Sequence, residues 1–507
     1  MNKYAENVRK GAVFVLVLSL LSAAVGFGFR IFLSRSLSVE DFGLFYSVLA
    51  FAALIGLFKD LGLPTSLVKY VAEFRAKNDF RGIKSAVITV YVAQLVVGLL
   101  VFVPFIFFSD YLAANYFGSA AASIVLTIIL IEGIINMGIY LSVFQGMRDF
   151  RIFGMIELFR VSILFGLSLI LADRGIVGIA LAQLFTTIVM NGIFISIMIR
   201  RMKFFISEKF VFDRKAFWEL GKFSLTIFAG NFFVMLVSRI DVIFITYFRA
   251  LQEVAWYNIS LPTATLLSFF ASPIASMLYP TVTEMWHKKE TVMLAKGVSS
   301  ITKIFFIAML PMAMLFVAYT DTIISMFFGR AYLPAALSLQ ILAIGMIFSG
   351  FYPVFAGVIN GMGRPDVNTK IISLAAVANT GMNLAVVPVY GLNGAAAATA
   401  LSFILTFVLS LTFLKKNIAI TIRLADIGKI FLGGMVMMLC IGLLRRALAL
   451  ADPVIEAVVT FTAATGVYLC YLVYAKLVVR SDLEIAEAVG IKLPDALLSL
   501  CRKILRN

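Results

Sequence analysis

The sequence holds little from which to build a conventional active site. Its 507 residues include one histidine and three cysteines. A lone histidine cannot assemble a histidine metal cluster. His287 stands before Lys288 and Lys289 in a charged loop, where a solvated side chain is the expected state. Cys440 and Cys470 fall inside apolar runs and Cys501 in a basic tail, which gives neither zinc-ligand spacing nor a disulfide framework. No Gly-rich phosphate loop followed by Lys and Ser or Thr is present, so ATP is not expected as the direct energy source. No small-residue cleavage site closes the first apolar run, which reads as a first membrane span rather than a signal peptide. Charged residues amount to 14%, against about a quarter in a soluble globular protein.

Hydrophobic length is what the sequence has instead. Apolar residues make up 62% and the mean hydropathy is +1.02. Near-continuous apolar runs of about 20 residues recur, long enough to cross roughly 30 Å of hydrocarbon as helices. Barrel strands would alternate polar with apolar, and these runs do not. The reading is an all-α polytopic membrane protein with fourteen transmembrane helices. They are expected at 11–34, 41–63, 83–108, 119–144, 153–173, 176–199, 219–247, 255–282, 296–319, 336–359, 367–389, 392–414, 426–448 and 453–476.

The net charge of +16 could suggest nucleic acid, but its placement argues against that partner. Lys and Arg gather in alternate loops. Of the 43 basic residues, about 31 fall on the side of the termini and about six opposite, which puts both termini in the cytoplasm. Two basic segments look amphipathic: 65–82, with Leu67, Val71 and Phe74 beside Lys69, Arg75 and Lys77, and the tail, with Leu493, Leu497, Leu500 and Ile504 beside Arg502, Lys503 and Arg506. Such faces suit the surface of an anionic inner leaflet, or alternatively a partner protein.

Spans 1–6 resemble spans 7–12 at an offset of about 212–216 residues, by three matches in order. Glu40-Asp41-Phe42-Gly43-Leu44-Phe45 answers Gln252-Glu253-Val254-Ala255-Trp256-Tyr257. Gln145-Gly146-Met147-Arg148-Asp149 answers Asn360-Gly361-Met362-Gly363-Arg364-Pro365-Asp366, and Gly175-Ile176-Val177-Gly178 answers Gly391-Leu392-Asn393-Gly394. Six is even, so the two six-helix lobes face the same way, related by an axis along the membrane normal. The expected domains are an N-terminal lobe at 1–204, a C-terminal lobe at 205–416, two further helices at 417–476 and an amphipathic cytoplasmic tail at 477–507. Paired lobes that rock about a central site suit a transporter.

Polar residues within the spans mark candidates for that site. Span 1 carries Ser19, Ser22, Gly26 and Arg30 on one stripe. Span 7 carries Ser224, Asn231 and Ser238, flanked by Arg239 and Asp241. Span 8 carries Asn258, Thr265, Ser268, Ser272 and Ser276, with Pro262, Pro273 and Pro280 to bend it. Arg30 has two readings, a snorkel to the interface or a cavity-facing partner for an anion. Arg239 and Asp241, two residues apart, point to different faces, which favours Arg239 in the chamber. The candidate substrate-binding set is Arg30, Asn231, Arg239, Asp241, Asn258 and Ser22. Glu132 lies mid-span, either protonated, paired or on a coupling pathway. Glu157 and Arg160 at i and i+3 read as a structural pair, and Lys59 with Asp60 as residues closing span 2; together with Glu132, the charges Glu157, Arg160 and Lys59 complete the set of lumen or coupling groups.

The fourteen-span plan and the segment 34–74, with Phe42-Gly43-Leu44-Phe45 and Asp60-Leu61-Gly62-Leu63, resemble the polysaccharide and oligosaccharide flippases, as does Gln145-Gly146 before the fifth span. These belong to the superfamily that also contains multidrug-and-toxin extruders and lipid II flippases. The resemblance implies two six-helix lobes around a central cleft plus two C-terminal helices. It implies a flippase, not an enzyme, that moves polyprenyl-phosphate- or pyrophosphate-linked oligosaccharide to the outer leaflet by alternating access. No cofactor is implied beyond H+ or Na+ as coupling ion. The implied partners are the lipid-linked glycan, membrane lipids, and glycosyltransferases or a polymerase of the same pathway, for a monomer in the cytoplasmic membrane.

Arginines can hold phosphate oxygens through paired charge-assisted bonds, and hydroxyls can hold sugar weakly enough to release it. A cation-coupled multidrug exporter is the rival reading, but span 1 has no Asp or Glu. A membrane-embedded glycan polymerase or ligase would need acid and base groups near a large outer loop, and the outer loops are short.

Overall fold

The computed structural model describes residues 2–136, 138–268, 271, 281–418, 420, 423–448 and 452–477. Side chains 2–13 and that of Leu424 are outside this description. The expected amphipathic tail with Cys501 lies outside the described residues, as do Ser272, Pro273, Ser276 and Pro280 of span 8.

Every regular element among the described residues is helical. Among the described residues, eleven apolar stretches are long enough to cross a membrane. Two of them, Phe150–Arg201 and Pro365–Ile418, run to 52 and 54 residues. At 1.5 Å per residue either would reach roughly 80 Å, far beyond a hydrocarbon core, so each has to turn back on itself. Both turns are made by glycine in the left-handed region: Gly175 at φ 60° and ψ −144°, and Gly391 at φ 56° and ψ −136°. These two glycines are partners in the sequence repeat, and they adopt nearly one backbone conformation.

Contacts divide the chain into two compact units, Met1–Ala255 and Trp256–Asn507. The first unit contains α1 (Asn2–Ser36), α2 (Val39–Asp60), α3 (Leu63–Ala76), α4 (Phe80–Phe107), the short α5 (Ser109–Leu112), α6 (Ala121–Ile135) and α7 (Ile139–Gly146). It continues with α8 (Phe150–Leu171), α9 (Gly175–Arg201), the short α10 (Phe204–Ser207), α11 (Arg214–Phe248) and the start of α12 (Leu251–Thr265). Thus α11 packs with α2 and α3. Two buried hydroxyl pairs fasten it there, Ser47 to Thr246 and Ser66 to Ser224, both at 2.7 Å. Side-chain bonds between membrane helices contribute about 0.6 kcal/mol on average. The closer constraint is steric. A Cβ on Gly43 would come within 1.9 Å of the Leu251 carbonyl oxygen, so α2 and the start of α12 meet backbone to backbone.

Helix α3 differs from the expectation of a helix lying on a leaflet. Leu67 and Val71 are fully buried, in a core shared with Val90 of α4, Val143 and Phe144 of α7 and Leu220 of α11. Amphipathicity required that the apolar face be covered, and the protein itself covers it. The basic side remains outward, with Lys77 bonded to Glu73 at 2.8 Å and Lys69 over the Phe223 ring at 3.9 Å.

The second unit begins within α12, which leaves α-geometry after Thr265, three residues past Pro262. It continues with a helical stretch at 281–287, α13 (Thr291–Ala318), α14 (Thr320–Phe327), α15 (Ala336–Ser349), α16 (Phe351–Gly361), α17 (Pro365–Ile418), α18 (Leu424–Leu448) and α19 (Pro453–Tyr474). Phe306, Phe348, Phe351, Phe355 and Phe407 pack ring against ring at its centre, with centroids 4.6–6.0 Å apart. The last two helices are fixed to α13 and its C-terminal end. Tyr468 donates to the Ile307 carbonyl at 3.2 Å, and Arg445 bonds both Glu456 at 2.5 Å and the Ala318 carbonyl at 3.3 Å.

Each unit also closes its helix pairs with the same local device. Asn78 and Arg148 in the first unit, and Lys289 and Gly363 in the second, all take positive φ one residue before the next helix cap. Asp79 and Asp149 then cap α4 and α8 through the amides of Gly82 and Ile152.

Candidate functional site

The first unit brings together the two arginines that the sequence singled out. Arg30 comes from α1 and Arg239 from α11, 209 positions apart in number but within electrostatic reach of one another. Between them in chemistry stands Tyr46 of α2. The Arg30 guanidinium lies 4.5 Å from the centroid of the Tyr46 ring, and Tyr46 also acts on Arg239. Tyr46 is itself buried and held by Phe42 and Phe45, with ring centroids 4.8 and 5.5 Å away. A rigid aromatic platform therefore orients one guanidinium, while Arg239 stays exposed beside it.

Like charges within electrostatic reach repel each other, and partial removal from water adds to the cost. An anion placed between them reverses both terms, because each planar guanidinium can offer two parallel N–H donors to phosphate oxygens. Such a pair can receive a multivalent oxyanion and disfavours a further cation. Replacement of Tyr46 by leucine keeps most of the volume and removes the π face. We expect Tyr46→Leu to weaken binding of a phosphate-bearing ligand about five-fold, the equivalent of roughly 1 kcal/mol of cation–π attraction, while the melting temperature moves little. Ligand titration with parallel thermal melting measures both.

The other candidates fall into separate places. Asn231 is exposed on α11 in the same unit. Asp241 is only 1% exposed, so it and Arg239 do lie on different faces of α11. The hydroxyl stripes do not stay intact. Ser22 is buried and its Oγ bonds the Leu18 carbonyl at 2.7 Å, while one turn on Gly26 faces Val161 of α8. Ser224 is spent on the α3 contact, and Ser238 bonds back to the Val234 carbonyl at 2.8 Å. Asn258 is buried in the second unit.

The remaining charges form two groups. Glu157 and Arg160 join as an i, i+3 pair through two bonds of 2.6 and 2.9 Å. Glu132, 7% exposed, accepts from Thr187 of α9 at 2.6 Å and from Asn136 at 3.0 Å. Lys59 is 3% exposed and donates to the carbonyls of Gly133 and Asn136. Among the described residues no group of three or more His, Cys, Asp or Glu side chains could hold a metal ion.

Sequence reasoning missed Tyr46, although it lies inside the segment that carried the family resemblance. The one aromatic with a hydroxyl among the phenylalanines of the second span was the available signal, since a buried tyrosine needs a partner for its polar end or its π face.

Comparison with known proteins gives the following. Residues 8–286, over half of the chain, match the family described as polysaccharide biosynthesis protein, and 227–386 match the MatE family. An uncharacterized membrane protein of Methanocaldococcus jannaschii is 27% identical over 435 residues, covering 82% of this chain and 85% of the relative. The probable low-salt glycan biosynthesis flippase Agl15 of Haloferax volcanii is 21% identical over 427 residues, covering 83% and 86%. Among solved structures, the lipid II flippase MurJ superposes with a TM-score of 0.74 at 15% identity, over 92% of this chain and 99% of that one. An inward-facing multidrug MATE transporter superposes at 0.61 and 15% identity, over 79% and 94%. At these identities the structures establish a shared fold.

Proposed function

Because this chain belongs to the polysaccharide biosynthesis protein family, within the superfamily that includes lipid II flippases and multidrug extruders, we propose that it flips polyprenyl-phosphate- or pyrophosphate-linked oligosaccharide from the cytoplasmic to the outer leaflet of the cell membrane. The observation that carries the proposal is the Arg30–Arg239 pair about Tyr46. A lipid-linked sugar presents an anionic linkage, a large polar glycan and a tail that can stay in lipid. Two guanidiniums within electrostatic reach, one of them seated on the Tyr46 ring, suit the linkage, and the exposed Asn231 offers a weak, exchangeable contact for sugar in the same unit. The printed function of the Haloferax relative points the same way.

In this reading fourteen helices in a six, six and two arrangement place both termini in the cytoplasm. The arginine pair is exposed alternately to the two leaflets, and an H+ or Na+ gradient drives the cycle. No bond is made or broken, so the chain acts as a transporter without catalytic residues.

The direct test is ligand chemistry. Purified protein in nanodiscs should be stabilised against heat by a polyprenyl diphosphate, and about ten-fold less effectively, per unit concentration, by the corresponding uncharged polyprenol. That ratio corresponds to about 1.4 kcal/mol, the low end of one charge-assisted hydrogen bond. Equal response to both lipids, or a stronger response to organic cations, would sink the assignment and favour a multidrug exporter.

A further inference from the structure

The fourth span, expected as one helix over 119–144, is broken. α6 ends at Ile135 and α7 begins at Ile139, with Gly138 between them at φ 57°. The last carbonyls of a helix lack intrahelical partners and form the negative end of its dipole. In a membrane such groups must be satisfied from within the protein. Here Lys59, at the end of α2, does so for two of them: its Nζ donates to the Gly133 carbonyl at 2.7 Å and to the Asn136 carbonyl.

The surroundings are built for that ammonium. Its stem runs over Gly98 of α4, where an added Cβ would meet Lys59 Cδ at 3.4 Å and Cγ at 3.5 Å. Gln94, one turn earlier on α4, donates to Asp60 at 3.0 Å. Two carboxylates, Asp60 and Glu132, act on Lys59 electrostatically. Glu132 is fixed by Thr187 and Asn136, and Asn191 of α9 donates to the Ile135 carbonyl at 3.0 Å, next to the break. Tyr140 on α7 and Arg160 on α8 lie within electrostatic reach of Glu132.

Backbone carbonyls at an interrupted span, with a carboxylate close by, are the usual oxygen set for a monovalent coupling cation in transporters. A lysine ammonium is itself a compact monovalent cation with three donors. We infer that the break in the fourth span is a monovalent-cation site which Lys59 fills as a tethered cation. The first unit therefore supplies its own counter-ion at this place and draws none from solution. Removal of the side chain empties the cage but leaves its carbonyls and carboxylates, and these then accept Na+ or a small alkylammonium ion. The inference stands on the cage and is independent of the glycan assignment.

Melting of the purified full chain tests it, with chloride salts of choline, Na+, K+ and n-propylammonium compared at one ionic strength. In choline, Lys59→Ala should melt at least about 5 °C below wild type, as expected for loss of a buried charge partner. Na+ or propylammonium should restore at least half of that loss, an increment absent from wild type. Lys59→Met fills the stem space without a charge and should stay low in every salt, and Lys59→Ala combined with Glu132→Gln should lose the cation response. A Lys59→Ala variant as stable as wild type, or equally unstable in all four salts, would overturn the inference. If Lys59→Ala accumulates poorly, its yield in cells grown with and without propylamine becomes the readout. Recovery supports the tethered cation, and no recovery overturns it.

Discussion

Cells whose only copy carries Arg30→Ala together with Arg239→Ala should accumulate lipid-linked glycan on the inner leaflet, with undiminished protein in the membrane. Each single variant removes at least one charge-assisted bond to the anionic linkage, worth about 1.5–3 kcal/mol, or roughly 10- to 150-fold in transport. The double variant loses both and should fall further than either. Stability should move differently. Arg239 feels Arg30 as a like charge, so Arg239→Ala relieves repulsion and should leave the melting temperature unchanged or raised. Arg30→Ala gives up the contact with the Tyr46 ring, about 0.5–1 kcal/mol. Loss of activity without loss of stability is the expected signature of groups held together for a ligand. Lysine at either position keeps the charge but not the planar fork, and should recover only part of the rate. Glycan export assays with melting curves on the same variants measure both effects.

The largest expected effect on folding lies at Gly43. A single added methyl would fall 1.9 Å from the Leu251 carbonyl oxygen and 3.2 Å from the Ala255 amide nitrogen, both backbone atoms that cannot step aside. Gly62 is constrained twice, by φ 76° and by the Ser224 carbonyl oxygen 2.4 Å from its virtual Cβ. Gly43→Ala and Gly62→Ala should each cost at least about 2–3 kcal/mol through overpacking or backbone strain, and reach the membrane in strongly reduced amounts. Gly166 and Gly192, in helices with nothing within 4 Å of the added atom, are the matched controls. Alanine there should be neutral or stabilise by up to about 1 kcal/mol. Size-exclusion profiles of solubilised variants separate the two classes. Wild-type yield and melting for Gly43→Ala would contradict the packing of α2 on the start of α12.

Much of the fold was legible because the membrane imposes it. Uninterrupted apolar runs can only be helices there, and the repeat glycines Gly175 and Gly391 marked turns that the structure makes with the same backbone geometry. What escaped was set by contacts distant in sequence. Lys59 read as a residue closing span 2, since position gives no hint of carbonyls 74 and 77 residues further on. The break after Ile135 was hidden because Asn136 and Gly138 interrupt an apolar run too briefly to end a span by hydropathy. Ser22 and Ser224 sat on polar stripes, yet both hydroxyls are used within the protein. Spacing shows which residues share a face, not what that face meets. Arg30 and Arg239 were singled out because a charge within a span demands an explanation. Tyr46 was not, because its ring gains a use only once the fold carries Arg30 over it.

Flipping of one defined substrate tests the central claim most directly. Proteoliposomes would carry a fluorescent oligosaccharide on a polyprenyl diphosphate, with transfer between leaflets followed by quenching from one side. The account predicts that wild type moves this lipid, that Arg30→Ala with Arg239→Ala slows it at least about 100-fold at equal protein content, and that the uncharged polyprenyl glycoside is a poor substrate. Equal rates for the charged and uncharged lipids, or an unimpaired double variant, would contradict it.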